Sequence, residues 1–193
     1  LHDALSGGEL FSMILWGPPG SGKTTLAYAI RNGTSAKAHF EALSAVLTGV
    51  KELRDVLASA AHRRRSQSRK TVLFIDEIHR YNKSQQDALL PAVESGDVIL
   101  IGATTENPSF EIVNALLSRC RVFVVKPLEG EAVIDLMRRA LADKERGLGH
   151  LGIEIDDNAL MFLAEVTDGD ARRALGALEI AASLARGNGR IDL

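Results

Sequence analysis

Residues 17–24 read Gly-Pro-Pro-Gly-Ser-Gly-Lys-Thr and match the pattern G-x-x-x-x-G-K-[ST]. They lie between an apolar run at 12–16 and a helix-like stretch at 25–30. In such a loop the backbone N–H groups face phosphate oxygens, the lysine reaches the β- and γ-phosphates, and the hydroxyl after it ligates Mg²⁺. The helix adds the positive end of its dipole. The stretch therefore predicts a nucleoside triphosphate site in an α/β fold, in preference to a chance Gly/Pro turn.

The predicted nucleotide contacts cover the whole loop and the start of the helix. Lys23 is expected to act on the phosphates, and Thr24 is expected to be a ligand of the metal ion. The residues assigned to nucleotide binding are Gly17, Pro18, Pro19, Gly20, Ser21, Gly22, Lys23, Thr24 and Thr25.

The bulk composition is that of a folded domain with no strong charge bias. Of the 193 residues, 46% are apolar and 25% are charged, and the net charge is −2. Contact with DNA would therefore depend on a local basic patch. The single cysteine, Cys120, excludes an intrachain disulfide, and we interpret it as a small buried residue in preference to a thiol activated by Arg119. No apolar stretch approaches the length of a membrane helix, so we expect a cytoplasmic protein without membrane contact.

Alternating apolar runs and amphipathic patterns predict a doubly wound parallel sheet. After Pro127 the patterns are almost entirely helical, which predicts an α/β nucleotide-binding domain over 1–127 and a small all-helical lid domain over 128–193. We also expect the chain to be a fragment of a longer protein. The predicted strands are 71–75, 98–102 and 122–125, all buried, with a weaker one at 39–43; after Pro127 the one strand-like run is the short 153–155. The predicted helices are 50–61, 83–93, 111–117, 131–144, 157–166 and 171–185.

Several local features stay open at this point. Asp156 or Asp157 could cap the helix at 157–166, and Asp168 or Asp170 could cap the one at 171–185. The basic cluster within 62–70 is interpreted as a solvated loop, with contact to a phosphate backbone as the alternative.

The predicted strand at 71–75 is followed by Asp76 and Glu77. An aspartate at this position holds Mg²⁺ in enzymes with such a phosphate loop, and a carboxylate directly after it can polarise the attacking water. The alternative is an acidic helix cap. Together with the loop at 17–24, the pair favours catalysis.

Three further features could act on the phosphates. Thr104 and Thr105 follow the strand at 98–102, where a hydroxyl could orient water, or they could simply form a turn. Arg119 closes a helix and could neutralise its dipole or supply a cation to the transferred phosphoryl group of a neighbouring subunit. One of Arg172 and Arg173 lies at a helix N-terminus, where a bound phosphate would explain a cation.

These motifs, in this order, resemble the AAA+ ATPases of the clamp-loader branch. Within that branch, the stretches 43–46 with 49–51, 79–88 and 102–110 resemble the RarA family, also called MgsA, with its eukaryotic Werner-helicase-interacting relative. The resemblance spans about residues 12–185. It implies the AAA+ fold and ATP or ADP with Mg²⁺ as cofactors. By resemblance, Lys23 and Thr24 belong to Walker A, and Asp76 and Glu77 belong to Walker B. Thr104 (or Thr105) would be sensor 1, and Arg172 would be sensor 2. Arg119 would be an arginine finger acting in trans, and Ser44 would restrain Glu77.

The resemblance also implies a function. Members of the family are homo-oligomeric DNA-dependent ATPases, forming tetramers or rings, that act in replication-fork maintenance, DNA repair and recombination. Expected partners are single-stranded or forked DNA, DNA ends and single-stranded DNA-binding protein, and the expected location is the cytoplasm at the nucleoid. The alternatives are a clamp-loader subunit, a Holliday-junction-type motor subunit, and a module that binds ATP as an assembly signal without useful turnover.

Overall fold

The computed structural model describes residues 10–34, 38–185 and 189–192. These residues divide into two compact units. The first unit contains residues 10–17 and 23–125, and the second contains residues 18–22 together with the described residues from 126 onward. The boundary therefore passes through the phosphate loop itself.

A five-stranded parallel sheet is the centre of the first unit. Its order is β2-β3-β4-β1-β5, as expected for the predicted α/β class, which is confirmed. Trp16 at the end of β1 pairs with Thr104 at the end of β4, and Ser44 at the end of β2 pairs with Asp76 at the end of β3. The carboxyl ends therefore meet at one edge of the sheet. The strands are β1 (Met13–Trp16), β2 (Ala38–Ser44), β3 (Lys70–Asp76), β4 (Val98–Thr104) and β5 (Arg121–Val124).

Helices cover both faces of this sheet. Side chains alternate along each strand, so Ile14 packs with one cluster and Met13 and Leu15 with the other. Burial on both faces explains why the central strands read as continuous apolar runs. The helices of this unit are α1 (Lys23–Thr34), α2 (Val50–Gln67), α3 (Lys83–Glu94), α4 (Pro108–Glu111) and α5 (Asn114–Leu117).

The last strand of the sheet is not buried, so this part of the prediction is wrong. β5 is at the end of the strand order and pairs with β1. Its Val122 is 42% exposed and its Val124 is 64% exposed. The apolar run at 122–125 reflects a strand with high β propensity and a single neighbour in the described sheet.

The basic cluster is helical at its start, which corrects the predicted loop. α2 continues to Gln67, and Ser68 ends it in the left-handed conformation with φ 52°. Arginine is a good helix former, so the charged segment extends the helix although its apolar periodicity has ended. Arg63 donates to the Thr71 hydroxyl at 2.7 Å, and Arg69 donates to the Ala38 carbonyl at 3.1 Å. These two arginines hold α2 and the following loop to β2 and β3.

The single helix predicted at 111–117 is two short helices, and the buried side chain of Gln86 explains the break. Its amide nitrogen donates to the Glu111 carbonyl at 2.9 Å, and its amide oxygen accepts from the Val113 N–H at 2.8 Å. Gln86 is 2% exposed. The backbone groups that a continuous helix would use are therefore satisfied by a residue of α3.

The second unit is mainly helical. Its helices α6 (Gly130–Ala142), α7 (Asp157–Thr167) and α8 (Ala171–Leu184) pack around Val133, Met137, Leu160 and Leu178. The N-caps are Asp156 for α7 and Asp170 for α8. Two short strands pair in parallel, β6 (Glu154–Ile155) within the predicted strand-like run at 153–155 and β7 (Arg190–Ile191), which was not predicted. The role of this unit as a lid stays a prediction.

Within the described ranges, the structure contains no helix whose length and apolar character would suit a membrane span.

Candidate nucleotide-binding and catalytic site

The phosphate loop begins where β1 ends. The Gly17 N–H donates to the Thr104 carbonyl at 3.2 Å, which ties the start of the loop to β4. The Lys23 ammonium donates to the Gly17 carbonyl at 2.8 Å, and Lys23 is 7% exposed. Lys23 is also the first residue of α1, where the helix dipole disfavours a cation. A bound anion would compensate both the buried ammonium and the helix end, so the arrangement suits phosphate.

The middle of the loop has the conformation that its glycines permit. Gly20 has φ 68° and Gly22 has φ 91°, values that side chains disfavour. Between them, Ser21 is 5% exposed, and its hydroxyl has no hydrogen-bond partner among the described residues. A buried hydroxyl without a partner is costly, and an oxygen of a bound phosphate would remove that cost.

The same segment contacts the start of α8 within the second unit. The Ala171 N–H donates to the Gly20 carbonyl at 3.2 Å. The Asp170 carboxylate accepts from the backbone N–H groups of Arg172 at 2.9 Å and of Arg173 at 3.0 Å. The side chain of Arg172 is exposed. Arg172 therefore follows directly after a residue that is bonded to the loop.

Thr24 and Asp76 come together although they are 52 residues apart. The Thr24 hydroxyl donates to Asp76 Oδ2 at 3.3 Å, and the Glu77 N–H donates to Asp76 Oδ1 at 3.2 Å. One hydroxyl and one carboxylate fit Mg²⁺, because this ion commonly takes one or two protein oxygens and completes its shell with phosphate and water. Among the described residues, no group of three or more His, Cys, Asp or Glu side chains is placed to hold a metal ion.

Glu77 begins a short 3₁₀ turn, Ile78–Arg80, in a left-handed backbone conformation with φ 55° and ψ 42°. Its carboxylate lies 3.3 Å from His79 Nε2. The other ring nitrogen of His79, Nδ1, is 3.0 Å from the Thr104 hydroxyl. Three side chains from the ends of β3 and β4 are thus in contact in a row.

The geometry bears on two expectations, the choice between Thr104 and Thr105 and the restraint of Glu77 by Ser44. Thr104 is the last residue of β4, fully buried and in contact with His79, whereas Thr105 lies beyond the strand and is half-buried. The Ser44 side chain makes no hydrogen bond to Glu77 within the described residues, and the carboxylate contacts His79 instead.

Arg119 is not brought to the other site residues of its own chain. Its guanidinium pairs with Glu94 Oε1 at 2.5 Å and donates to the Ala115 carbonyl at 2.6 Å. Its side chain is 39% exposed. Cys120 is partly buried, and this burial raises the pKa of its thiol to about 11, which argues against a reactive thiolate.

Comparison with known proteins decides the family. The family model described as "ATPase family associated with various cellular activities (AAA)" matches residues 13–128, more than half of the chain. The chain belongs to the AAA family. The prediction of an ATPase of this class is therefore confirmed at the level of the family.

Relatives with the name predicted by resemblance match this AAA chain closely. "Replication-associated recombination protein A" of Haemophilus influenzae is 50% identical over 96% of this chain and 41% of its own length. The protein of the same name from Escherichia coli is 51% identical, with the same coverage. "ATPase WRNIP1" of Dictyostelium discoideum is 51% identical over 90% of this chain and 19% of its own length. The chain spans about two fifths of the length of the two bacterial relatives.

Solved structures agree with the fold. The "RuvB Holliday junction branch migration motor" of Thermotoga maritima superposes with a TM-score of 0.76 at 28% identity, covering 100% of this chain and 62% of that one. Its P216G mutant gives a TM-score of 0.75 at 26% identity.

One residue that contacts the proposed site was not predicted from the motifs. His79 contributed only to a resemblance, yet it contacts both Glu77 and Thr104. Its position two residues after Glu77 becomes informative only with the tight turn after β3, which returns that side chain towards the strand ends. The turn itself could not be foreseen, since it depends on a left-handed Glu77.

Proposed function

We propose that this AAA domain binds ATP with Mg²⁺ and hydrolyses it. The single observation that carries the proposal is the contact between Thr24 and Asp76, which unites the end of the phosphate loop with the end of β3. The buried Lys23 adds a cation to the same loop. A hydroxyl, a carboxylate and an ammonium are the groups that a triphosphate and its magnesium ion require.

Each side chain has a separate task in this proposal. The loop residues, from Gly17 to Thr25, surround the phosphates, and Lys23 neutralises the β- and γ-phosphate oxygens. Thr24 and Asp76 hold Mg²⁺, which supplies charge neutralisation on the phosphates when it is bound. Glu77 accepts a proton from the attacking water, and Thr104 orients that water or a γ-phosphate oxygen.

Two arginines complete the proposed machinery. Arg119 acts in trans on the nucleotide of a neighbouring subunit, which agrees with its separation from the other site residues of its own chain. On binding a neighbour it must leave Glu94, a partly exposed partner whose attraction is worth about 1 kcal/mol or less. Arg172 contacts the phosphates as sensor 2, supported by the bond between Ala171 and the loop residue Gly20.

The biological role we propose is that of a homo-oligomeric, DNA-dependent ATPase in replication-fork maintenance, repair and recombination. It rests on identities of about 50% to proteins named for replication-associated recombination. Forked or single-stranded DNA and single-stranded DNA-binding protein are the proposed partners, and the cytoplasm at the nucleoid is the proposed location. A second candidate is a Holliday-junction motor, favoured by the superposition on RuvB, although the identity is only 28%.

The proposed hydrolysis is tested by the substitution Glu77→Gln in the full-length protein. We expect ATP to bind as in the wild type, because the amide keeps the size of the side chain, whereas turnover falls about 100-fold or more through loss of the general base. Single-turnover hydrolysis, with and without forked DNA, measures this. Glu165→Gln, at an exposed position of α7, is the matched control and should retain full turnover. Undiminished turnover in Glu77→Gln would remove Glu77 from the mechanism.

A further inference from the structure

His79 is enclosed between two residues of the proposed machinery. Its side chain is 8% exposed, and each ring nitrogen has its own neighbour. Nε2 lies 3.3 Å from the Glu77 carboxylate, and Nδ1 lies 3.0 Å from the Thr104 hydroxyl. An imidazole placed in this way can transmit a change at one nitrogen to the other.

The contacts of Glu77 and Thr104 together indicate which nitrogen of His79 carries the proton. The Thr104 oxygen accepts from the Glu106 N–H at 3.0 Å. Its own single proton has two acceptors, His79 Nδ1 at 3.0 Å and the Glu106 carbonyl at the longer distance of 3.3 Å. The Glu77 carboxylate can only accept, so its contact with Nε2 requires the ring N–H on that nitrogen, and in the neutral ring Nδ1 is then the acceptor of the Thr104 proton. The ring N–H is then on Nε2 and faces Glu77.

This arrangement makes two functions of Thr104 mutually exclusive. A hydroxyl has one proton, and a proton given to His79 cannot also be given to a phosphate oxygen or a water. When Thr104 turns its proton to a bound γ-phosphate, Nδ1 loses its donor and the ring loses one of its two constraints. The Nε2–H that faces Glu77 is then free to move, and the carboxylate with it.

We propose that His79 is a positioning residue that couples Thr104 to Glu77, so that the carboxylate is released towards the attacking water when Thr104 engages the γ-phosphate. The proposal rests on the proposed ATP hydrolysis. The left-handed backbone at Glu77 supports it, because such a conformation in a residue other than glycine is costly and is found where a side chain must be aimed.

The simpler alternative is a buried histidine that only fills space. The chain offers a comparison, because His39 Nε2 also lies 3.0 Å from a carboxylate, that of Glu41. His39 and Glu41 lie among the first four residues of β2, away from the carboxyl ends of the strands, and their side chains are about 36% exposed. Substitutions at His39 therefore show what the loss of a histidine–glutamate contact does when that contact lies outside the proposed site.

Two substitutions separate the two nitrogens. In His79→Asn the amide takes the place of Nδ1, so contact with Thr104 can persist while contact with Glu77 is lost. In His79→Gln the amide takes the place of Nε2, and the reverse holds. We expect both variants in the full-length protein to lower kcat about 10-fold or more, with ATP affinity within about twofold of the wild type. His39→Asn and His39→Gln should leave kcat unchanged.

The coupling itself is tested by adding Thr104→Val. If His79 acts through Thr104, Thr104→Val combined with His79→Asn should be no slower than Thr104→Val alone. Full kcat in either single His79 variant would overturn the coupling. So would a double variant whose loss of kcat equals the product of the losses caused by Thr104→Val and His79→Asn separately.

A spectroscopic measurement keeps the inference independent of turnover and of the folding of the His79 variants. With ¹⁵N-labelled histidine, the His79 ring of the nucleotide-free wild type should show a protonated Nε2 and an accepting Nδ1, and Thr104→Val should shift the Nδ1 resonance. A non-hydrolysable ATP analogue with Mg²⁺ should also shift it, and ADP should not. The inference would be refuted if the Nδ1 resonance of His79 did not change in Thr104→Val, or if it were the same with the ATP analogue and with ADP. Failure of both nucleotides to bind would instead refute the proposed function.

Discussion

Gly20 is a position where the absence of a side chain determines the path of the loop. Its φ of 68° is unfavourable for other residues, and a Cβ built on it would collide with the Asp170 carboxylate. That carboxylate is the N-cap of α8, so it cannot move aside without giving up its bonds to the helix. The backbone of the loop and the start of α8 therefore depend on each other at this single residue.

We predict that Gly20→Ala destabilises the protein by about 2 kcal/mol, from the strained backbone and the disturbed cap together. Denaturant-induced unfolding measures the change. Gly33→Ala is the matched control, because Gly33 lies in α1 and a Cβ there meets no atom within 4 Å. Alanine at that helical position should stabilise by about 0.5–1 kcal/mol. Equal effects of the two substitutions would show that the contact with Asp170 does not constrain Gly20.

At the residue scale, the residues of the two motifs were predictable from the sequence, and the contacts of His79 were not. Lys23, Thr24, Asp76 and Glu77 stand in local patterns whose chemistry is fixed by spacing. The contact between His79 and Thr104 joins residues 25 positions apart and requires the exact turn that follows Glu77. Local patterns do not contain that turn, because its left-handed residue is a glutamate.

At the scale of elements, α2 shows how arginines can be structural in a segment that looks like a basic surface. Arg63 contacts the Thr71 hydroxyl, which is fully buried, and lies 3.9 Å from the Glu41 carboxylate. Arg65, two positions further along the helix, is exposed. The two side chains thus have the same chemistry and different surroundings.

We expect Arg63→Ala to lower the free energy of unfolding by about 1–3 kcal/mol, because it leaves the buried Thr71 hydroxyl without its donor. Arg65→Ala removes the same charge from the same helix and should change the stability by no more than about 0.5 kcal/mol. Thermal and denaturant unfolding of the two variants decides the point. Comparable losses in both would mean that helix charge, and not the bond to Thr71, is the cause.

Elements with a strong local signal were predicted, and elements shaped by tertiary contacts were not. The central strands bury both faces, so their apolar runs were unambiguous. β5 also contains an apolar run but lies at the sheet edge, a position that only the strand order reveals. The interruption between α4 and α5 follows from the amide of Gln86, which lies on another helix.

At the scale of the whole molecule, the chain contains the residues that we propose for ATP hydrolysis and spans about two fifths of the length of its bacterial relatives. Its net charge of −2 provides no general attraction to DNA. Action on DNA, assembly into oligomers and the use of Arg119 in trans are therefore properties that we propose for the full-length protein. The binding of ATP with Mg²⁺ is the part of the account that this chain should perform by itself.

The most direct test is calorimetric titration of this chain with ATP, in the presence of Mg²⁺ and again in EDTA. We predict one bound ATP per chain, with an affinity that falls in EDTA. Asp76→Asn should abolish that difference, because it removes the carboxylate that contacts Thr24. Asp135→Asn, at an exposed position of α6, should preserve it. The absence of ATP binding by the folded wild type, or an affinity that does not depend on Mg²⁺, would contradict the account.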